Sequence, residues 1–411
     1  MNLELFLARR MYGTRKGARR ISRPAVAIAQ WGVAVGTLVM FVSICIIVGF
    51  KQQIRDKIIG FGGHVQVMSY ESSYHGEVPV VADSLMLARL SAVEGVRHVQ
   101  PFVMKPGMIV ANGEYEGIAL KGVGTGYDLS FVKDNIVEGE LPSWGSDSSS
   151  NSIVLSRNIA DKLRLSVGDK LNIYFMQQGI KARRMSVSAV YETHLTEFDN
   201  IMALTDIYTV RRLNGWGGEK ATGIEISIND YNELYMVATD VNQVLKQYNE
   251  VGERLHAPTI EDLYPSLFSW LSVLDQTVWL ILVLVLFIAG FTTVSGLLIL
   301  ILEKSNFIGV LKAVGARDVS IIKVFLYYAC IVIGKGILIG NVVAVVLCLL
   351  QQHFHIVALD PSMYYMNSVP IEFTWLLVPM NIGIFVLSVL MLLLPSMLIS
   401  RIEPTRAIKF E

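Results

Sequence analysis

Acidic and basic residues are missing from long stretches of this chain. Ala25–Phe50, Thr277–Leu302 and Phe373–Ser400 contain no Asp, Glu, Lys or Arg, and Val324–Gln351 contains only Lys335. About 20 apolar residues suffice to cross a hydrocarbon core of roughly 30 Å, so each run is long enough to span a bilayer with some tilt. Cysteine is scarce too. Cys45, Cys330 and Cys348 all fall inside these runs, so the polar stretch 51–270 has no disulfide to hold it and must fold on its own core. No G-x-x-x-x-G-K-[ST] loop occurs, which excludes nucleotide binding by the P-loop mechanism; H-E-x-x-H and G-x-S-x-G are absent as well, which weakens a protease or lipase reading. A metal site is not expected either. His353 and His355 lie near Asp360, but an i, i+2 pair points to opposite sides of a strand and is poorly placed on a helix.

What is present agrees with a membrane class: 53% of residues are hydrophobic and 17% charged. Seven Lys/Arg crowd the first 23 residues against the single acid Glu4. Lys304, Lys312, Arg317 and Lys323 follow the second apolar run, Arg401, Arg406 and Lys409 follow the fourth, and 352–372 holds no basic residue. The positive-inside bias then puts both termini and the second loop in the cytoplasm, with the large polar stretch and 352–372 outside. The expected layout is a cytoplasmic segment 1–24, spans at 25–50, 271–302, 321–351 and 373–400, an external domain at 51–270, an inner loop at 303–320, an outer loop at 352–372 and a cytoplasmic tail at 401–411. The first run is too long for a cleaved leader and has no small-residue cleavage site after it, so it is read as an uncleaved signal anchor.

The external stretch carries 20 Lys/Arg and 27 Asp/Glu, a diffuse negative balance that argues against nucleic acid. It reads as mixed α/β. Strand patterns are expected at His64–Val67, Met108–Ala111, Gly117–Lys121, Lys170–Phe175, Met185–Tyr191 and Gly223–Ile228. Helices are expected at Asp83–Ala92, Arg157–Leu165, Asp206–Leu213 and Asn232–Tyr248. The polar run Ser143–Ser152 separates two parts. The fold class is thus an α-helical membrane protein with four transmembrane helices, one plus three, and a large α/β extracytoplasmic domain between the first two.

The most specific local feature is the cytoplasmic run Glu303–Ala316, EKSNFIGVLKAVGA. Phe307, Ile308, Leu311 and Val314 recur at helical spacing beside Lys304 and Lys312, and Gly315 is placed to stop the helix. Such a helix either lies on lipid or fits a groove on a partner.

Glu303, Lys304, Ile308, Gly309, Val310, Leu311, Lys312, Ala313, Gly315 and Ala316 match the pattern E-[KR]-x-x-x-I-G-[VIL]-L-[KR]-A-x-G-A, and Ile288–Ala316 resembles the signature of FtsX-like ABC transporter permeases. Ser152–Lys170, followed by Met185–Tyr191, resembles that family's MacB-type periplasmic core domain. Length, Leu5–Arg10 and Val48-Gly49-Phe50-Lys51 look most like the lipoprotein-releasing (LolC/LolE) permeases, although Thr292-Thr293 stands where Phe-Asn-Ile is familiar. The resemblance implies a multi-pass permease of the bacterial inner membrane, not an enzyme, that binds no cofactor itself. ATP and Mg belong to a cytoplasmic ABC ATPase docked on Glu303, Lys304, Phe307, Ile308, Leu311, Lys312 and Gly315. The other partners implied are a second permease chain, acylated lipoprotein cargo, a periplasmic carrier and membrane lipid, with no nucleic acid. MacB-like efflux and FtsX-type regulation of a cell-wall hydrolase are the alternatives.

Acyl chains leave a bilayer only into another apolar place, since each exposed methylene costs about 0.8 kcal/mol. The expected cavity walls are Met40, Phe41, Ile44, Ile47, Val48 and Phe50 of the first span with Leu274, Val278, Ile281 and Val285 of the second. Lys335 is the one ion within the four apolar runs, and should face protein or a water-filled cleft. Gly336 and Gly340 beside it form a G-x-x-x-G step suited to close helix contact.

Overall fold

The computed structural model describes residues 3–13, 22–71, 78–144, 149–177, 179–250 and 252–391. The chain divides into two compact units. One comprises Met1–Gln52, Trp270–Ala358 and Ser368–Glu411; the other comprises Gln53–Ser269 with Leu359–Asn367.

The first unit is helical. Its long helices belong to Ser22–Gly62, Pro265–Glu303 and Asp318–Phe354, 41, 39 and 37 residues. Among the described residues these three are long and apolar enough to cross a membrane; a shorter apolar helix, Leu377–Met391, precedes residues outside the description. The expected fourth span 373–400 thus lies outside the described residues beyond Met391, as does the tail 401–411. Within the basic N-terminal segment, Leu3–Gly13 forms a helix whose Ala8 is buried in one cluster with Val33, Ile301, Ile308, Ile321 and Phe325. A second cluster joins Phe41 and Cys45 to Ala344, Cys348 and Ile371.

The second unit is α/β. Its strands are β1 (Val65–Ser69), β2 (Val80–Val81), β3 (Val96–Ala111), β4 (Glu114–Val123), β5 (Ile136–Gly139), β6 (Ser152–Ser156), β7 (Lys170–Gln177), β8 (Gly179–Tyr191), β9 (Met202–Asp206), β10 (Lys220–Ala221), β11 (Gly223–Ile228) and β12 (Leu255–His256). β3 is long enough to serve two neighbourhoods. Its first half pairs with β11, which continues to β1 and β12; its second half pairs with β7. From there the pairings close on themselves: β3 to β4, β4 to β9, β9 to β6 at Val154–Leu204, β6 to β8, β8 to β7 and β7 back to β3. A closed circuit leaves these six strands with few free edges, which removes a template for unwanted pairing.

The helices begin where the chain supplies a side-chain acceptor. Asp83, Ser156 and Asp206 cap Ser84–Ser91, Arg157–Leu163 and Ile207–Asn214, and Thr259 with Asp262 forms a reciprocal capping box on Ile260–Leu263. The amphipathic helix Leu234–Asn249 buries Leu234, Val237, Val241 and Leu245 against the core shared with β1, β3 and β11.

Candidate functional site

The run after the second long helix folds as a short helix, Ser305–Ala313, and Gly315 adopts φ +93°, the left-handed conformation that ends a helix cheaply only at glycine. Its apolar stripe is divided. Ile308 is completely buried against Ile301, Ile321 and Phe325 of its own unit, and Leu311 packs partly against the same cluster. Val310 and Val314 are instead exposed, at 50% and 83%. Lys312 is turned back to its own chain, forming a 3.0 Å ion pair with Asp318 across the turn. Phe307 and Lys304 are half-buried, and the Glu303 side chain lies outside the described residues. Ile308 and Lys312 therefore hold the helix in place, and Val310 and Val314 are the apolar groups it offers outward.

The residues expected to wall an acyl cavity are distributed similarly. Met40, Phe41 and Phe50 are buried, Ile44, Ile47 and Val48 half-buried. Phe41 meets Phe373 edge-on and packs with Ala344 and Cys348, so it fills the core of its own unit and does not line open space. Phe50 meets Trp270 edge-on at 5.8 Å, and beside it Lys51 pairs with Asp275 at 2.7 Å. These two contacts join the first and second long helices at one level. On the second helix Val278 is buried, Leu274 and Val285 are half-buried, and Ile281 is exposed beside Trp279, Leu280, Leu284, Phe287 and Phe291.

Gly336 and Gly340 make the close contact that their spacing suggests. A Cβ on Gly340 would lie 2.5 Å from the Ala34 carbonyl oxygen, and one on Gly336 would lie 2.9 Å from that of Gln30. The first and third long helices thus meet backbone to backbone. Lys335, the residue before Gly336, is on the exposed side of its helix.

A further site emerges inside the α/β unit that the sequence does not announce. The last turns of the first long helix, from Gln53 to Gly62, belong to this unit. Gly60 lies so close to the Phe131 ring that a Cβ there would clash. Phe61 stacks flat on Phe198 with 4.7 Å between centroids, and Phe198 in turn meets Tyr264, which precedes the second long helix. The Phe61 carbonyl accepts a hydrogen bond from Lys121 Nζ. A cation at the carbonyl end of a helix opposes the helix dipole favourably. Lys121 also pairs with Glu225 at 2.6 Å, and Glu225 accepts further hydrogen bonds from Gln100 and Tyr127. Lys57, one turn earlier, donates to the carbonyls of Thr193 and Tyr365. Tyr365 and Asn367, from the 359–367 segment, also bond Glu197 and His194. Nearby, Asp199 accepts from the Thr193 backbone and hydroxyl, while its burial pushes the carboxyl above its ordinary range.

Lys121 and Glu225 were hidden by alternation. In Gly223–Ile228 the isoleucines occupy one face, so Glu225 and Ser227 read as the solvent face; yet every residue of the strand is buried, because the end of the long helix covers that side. A carboxylate centred in a strand, matched by a lysine in a neighbouring apolar strand, is the signal that was available.

The chain thus joins a helical unit with several membrane-length helices to an α/β unit into which the first of those helices continues. Residues 27–244 match the MacB-like periplasmic core domain and residues 279–404 match the FtsX-like permease C-terminal domain. The chain belongs to the FtsX-like ABC transporter permeases with a large MacB-like periplasmic domain. It is 23% identical over 413 residues to the lipoprotein-releasing system transmembrane protein LolC of Xylella fastidiosa strain 9a5c, covering 92% of each chain. It is 22% identical over 393 residues to the protein LolE of that system from Haemophilus influenzae, again covering 92% of each. The periplasmic region of MacB from Actinobacillus actinomycetemcomitans aligns with 51% of this chain and 95% of its own at 14% identity, with a TM-score of 0.37.

Proposed function

We propose that this chain is one of two permease subunits of a complex that extracts acylated lipoproteins from the bacterial inner membrane and passes them to a periplasmic carrier. The observation that carries this reading is similarity, over 92% of the chain, to proteins named as transmembrane components of lipoprotein-releasing systems. In this reading the chain has four spans, with the fourth continuing past Met391, both termini in the cytoplasm and the α/β unit in the periplasm. A separate ATPase supplies ATP and Mg and docks on the helix after the second span through Val310, Val314, Phe307 and Leu311, with Glu303 and Lys304 making polar contacts and Gly315 bounding the helix.

Two copies, identical or related, wall the acyl cavity. Ile44, Ile47 and Val48 face it from the first span and Ile281 and Val285 from the second; Met40, Phe41, Phe50, Leu274 and Val278 back this wall from within each protomer. Hydrolysis in the ATPase moves the coupling helix. The long helix carries the motion to its anchor at Phe61 and Lys121, and the periplasmic domains close on the cargo.

Depletion of the protein tests the function. Lipoproteins destined for the outer membrane should accumulate in the inner membrane fraction. Normal lipoprotein sorting, with loss of peptide or small-molecule export instead, would establish MacB-like efflux; normal sorting with loss of cell-wall hydrolase activity would establish the FtsX-type role.

A further inference from the structure

A cavity of about 450 Å³ in the α/β unit opens beside the last turns of the first long helix. Its size falls in the range of small-molecule sites, yet its walls are polar. Two cations line it, Arg55 from the helix and Arg97 from the start of β3, with three carboxylates, Asp56, Asp128 and Asp230. A simple anion is a poor match for that balance. A ligand carrying both signs is a good one.

The groups are held ready for such a ligand. The Arg55 guanidinium lies over the Tyr231 ring at 4.1 Å, which fixes its plane. Its Nε is buried without a hydrogen-bond partner among the described residues, 3.7 Å from the Asp56 carboxylate. His64, nine-tenths buried in the wall, accepts the Ile228 N–H at Nδ1, which leaves Nε2 as the protonated donor of the neutral ring. Arg55, Arg97 and His64 are a donor set for phosphate oxygens. Opposite in charge, Asp128 accepts from the Ser130 N–H and hydroxyl with one oxygen, and Asp230 accepts from Asn232 with one of its own. The second oxygen of each has no hydrogen bond among the described residues, and suits an ammonium.

Position along the chain selects the source. Arg55 follows the last residue of the uncharged run, Phe50, by five residues within a single helix. At 1.5 Å per residue that is about 7.5 Å, the depth of the headgroup layer beyond a hydrocarbon core. We infer that this cavity takes the headgroup of a zwitterionic, primary-amine phospholipid, with the phosphate on Arg55, Arg97 and His64 and the ammonium on Asp128 and Asp230.

The inference does not depend on what cargo the complex moves. It is tested on the full-length chain, stripped of lipid in detergent and titrated with phosphatidylethanolamine, phosphatidylcholine or phosphatidylglycerol, with bound lipid read by native mass spectrometry. One phosphatidylethanolamine per chain should be retained at roughly tenfold lower concentration than the other two. Arg97→Gln should weaken retention of all three, whereas Asp128→Asn should erase the preference for the primary amine; both side chains are at the surface of the fold, and unchanged thermal unfolding verifies that the variants are intact. Equal retention of the three lipids by the native chain, or retention indifferent to both substitutions, overturns the inference. So does thermal stabilisation by soluble phosphorylethanolamine without lipid retention, which would assign the cavity to a free metabolite.

Discussion

Lys121 and Glu225 face each other at 2.6 Å with 3% and 1% of their side chains exposed, and the same ammonium bonds the carbonyl of Phe61 at the end of a 41-residue helix. The pair therefore links two strands, β4 and β11, to the helix. Removing one partner leaves a buried, uncompensated charge, a loss of about 3–5 kcal/mol. Lys121→Met and Glu225→Leu should each lower the thermal unfolding temperature markedly, and the double substitution should recover part of the loss. Additive losses would show that the pair is not coupled.

Gly340 tests the helix contact. Gly340→Val drives a side chain into the Ala34 carbonyl and Thr37, so unfolding in detergent, followed by tryptophan fluorescence, should occur several degrees lower. Gly334→Ala is the control. Among the described residues nothing lies within 4 Å of a Cβ there, and replacing glycine within a helix gains about 0.5–1 kcal/mol. Equal destabilisation by both would remove the case for close approach at Gly340.

Val314→Asp and Val310→Asp should abolish co-purification of the ATPase while membrane insertion stays normal, because both side chains point outward. Ile308→Ala should behave differently. It opens a void in the chain's own core and should cost about 2–5 kcal/mol in stability, with the ATPase still bound to whatever protein remains folded. Retention of the ATPase by the double aspartate variant would move the docking surface elsewhere.

Burial, reinforced by the charges of Arg97 and Arg55, pushes His64 down to about 4. Between its ordinary value near 6.5 and that lowered value the unfolded chain binds a proton that the folded chain refuses. Stability from this residue is complete above about pH 6.5 and declines as pH falls toward 4, by at most ~1.4 kcal/mol per pH unit. Subtracting the pH profile of His64→Gln from that of the native chain isolates this contribution from the opposing one of Asp199. A flat difference across that window would mean that His64 is solvated.

Much of the α/β unit is legible from pattern alone. Gly223–Ile228 is a strand over its full expected length, and the helices after Asp83, Ser156 and Asp206 start where their caps stand. β3 and β8 extend well past the expected segments, because Arg97, His98 and Gln100 in one and Lys181, Arg183 and Arg184 in the other interrupt the apolar alternation without interrupting the ladder. β6 and β9 are short apolar runs buried on both faces, for which period two gives no sign. At the helix Ser305–Ala313, spacing marks which residues share a stripe but not how the stripe is divided; Ile308 is covered by the cluster of Ile301, Ile321 and Phe325, whereas Val310 is exposed.

The residues Leu359–Asn367, grouped with the α/β unit although flanked on both sides by the helical one, change how that unit is tethered. The backbone passes between the two bodies four times, at 52/53, 269/270, 358/359 and 367/368. The excursion is therefore not slack chain: the Tyr365 hydroxyl donates to Glu197 and the Asn367 amide meets His194, so shortening this loop would remove contacts that belong to the α/β unit itself.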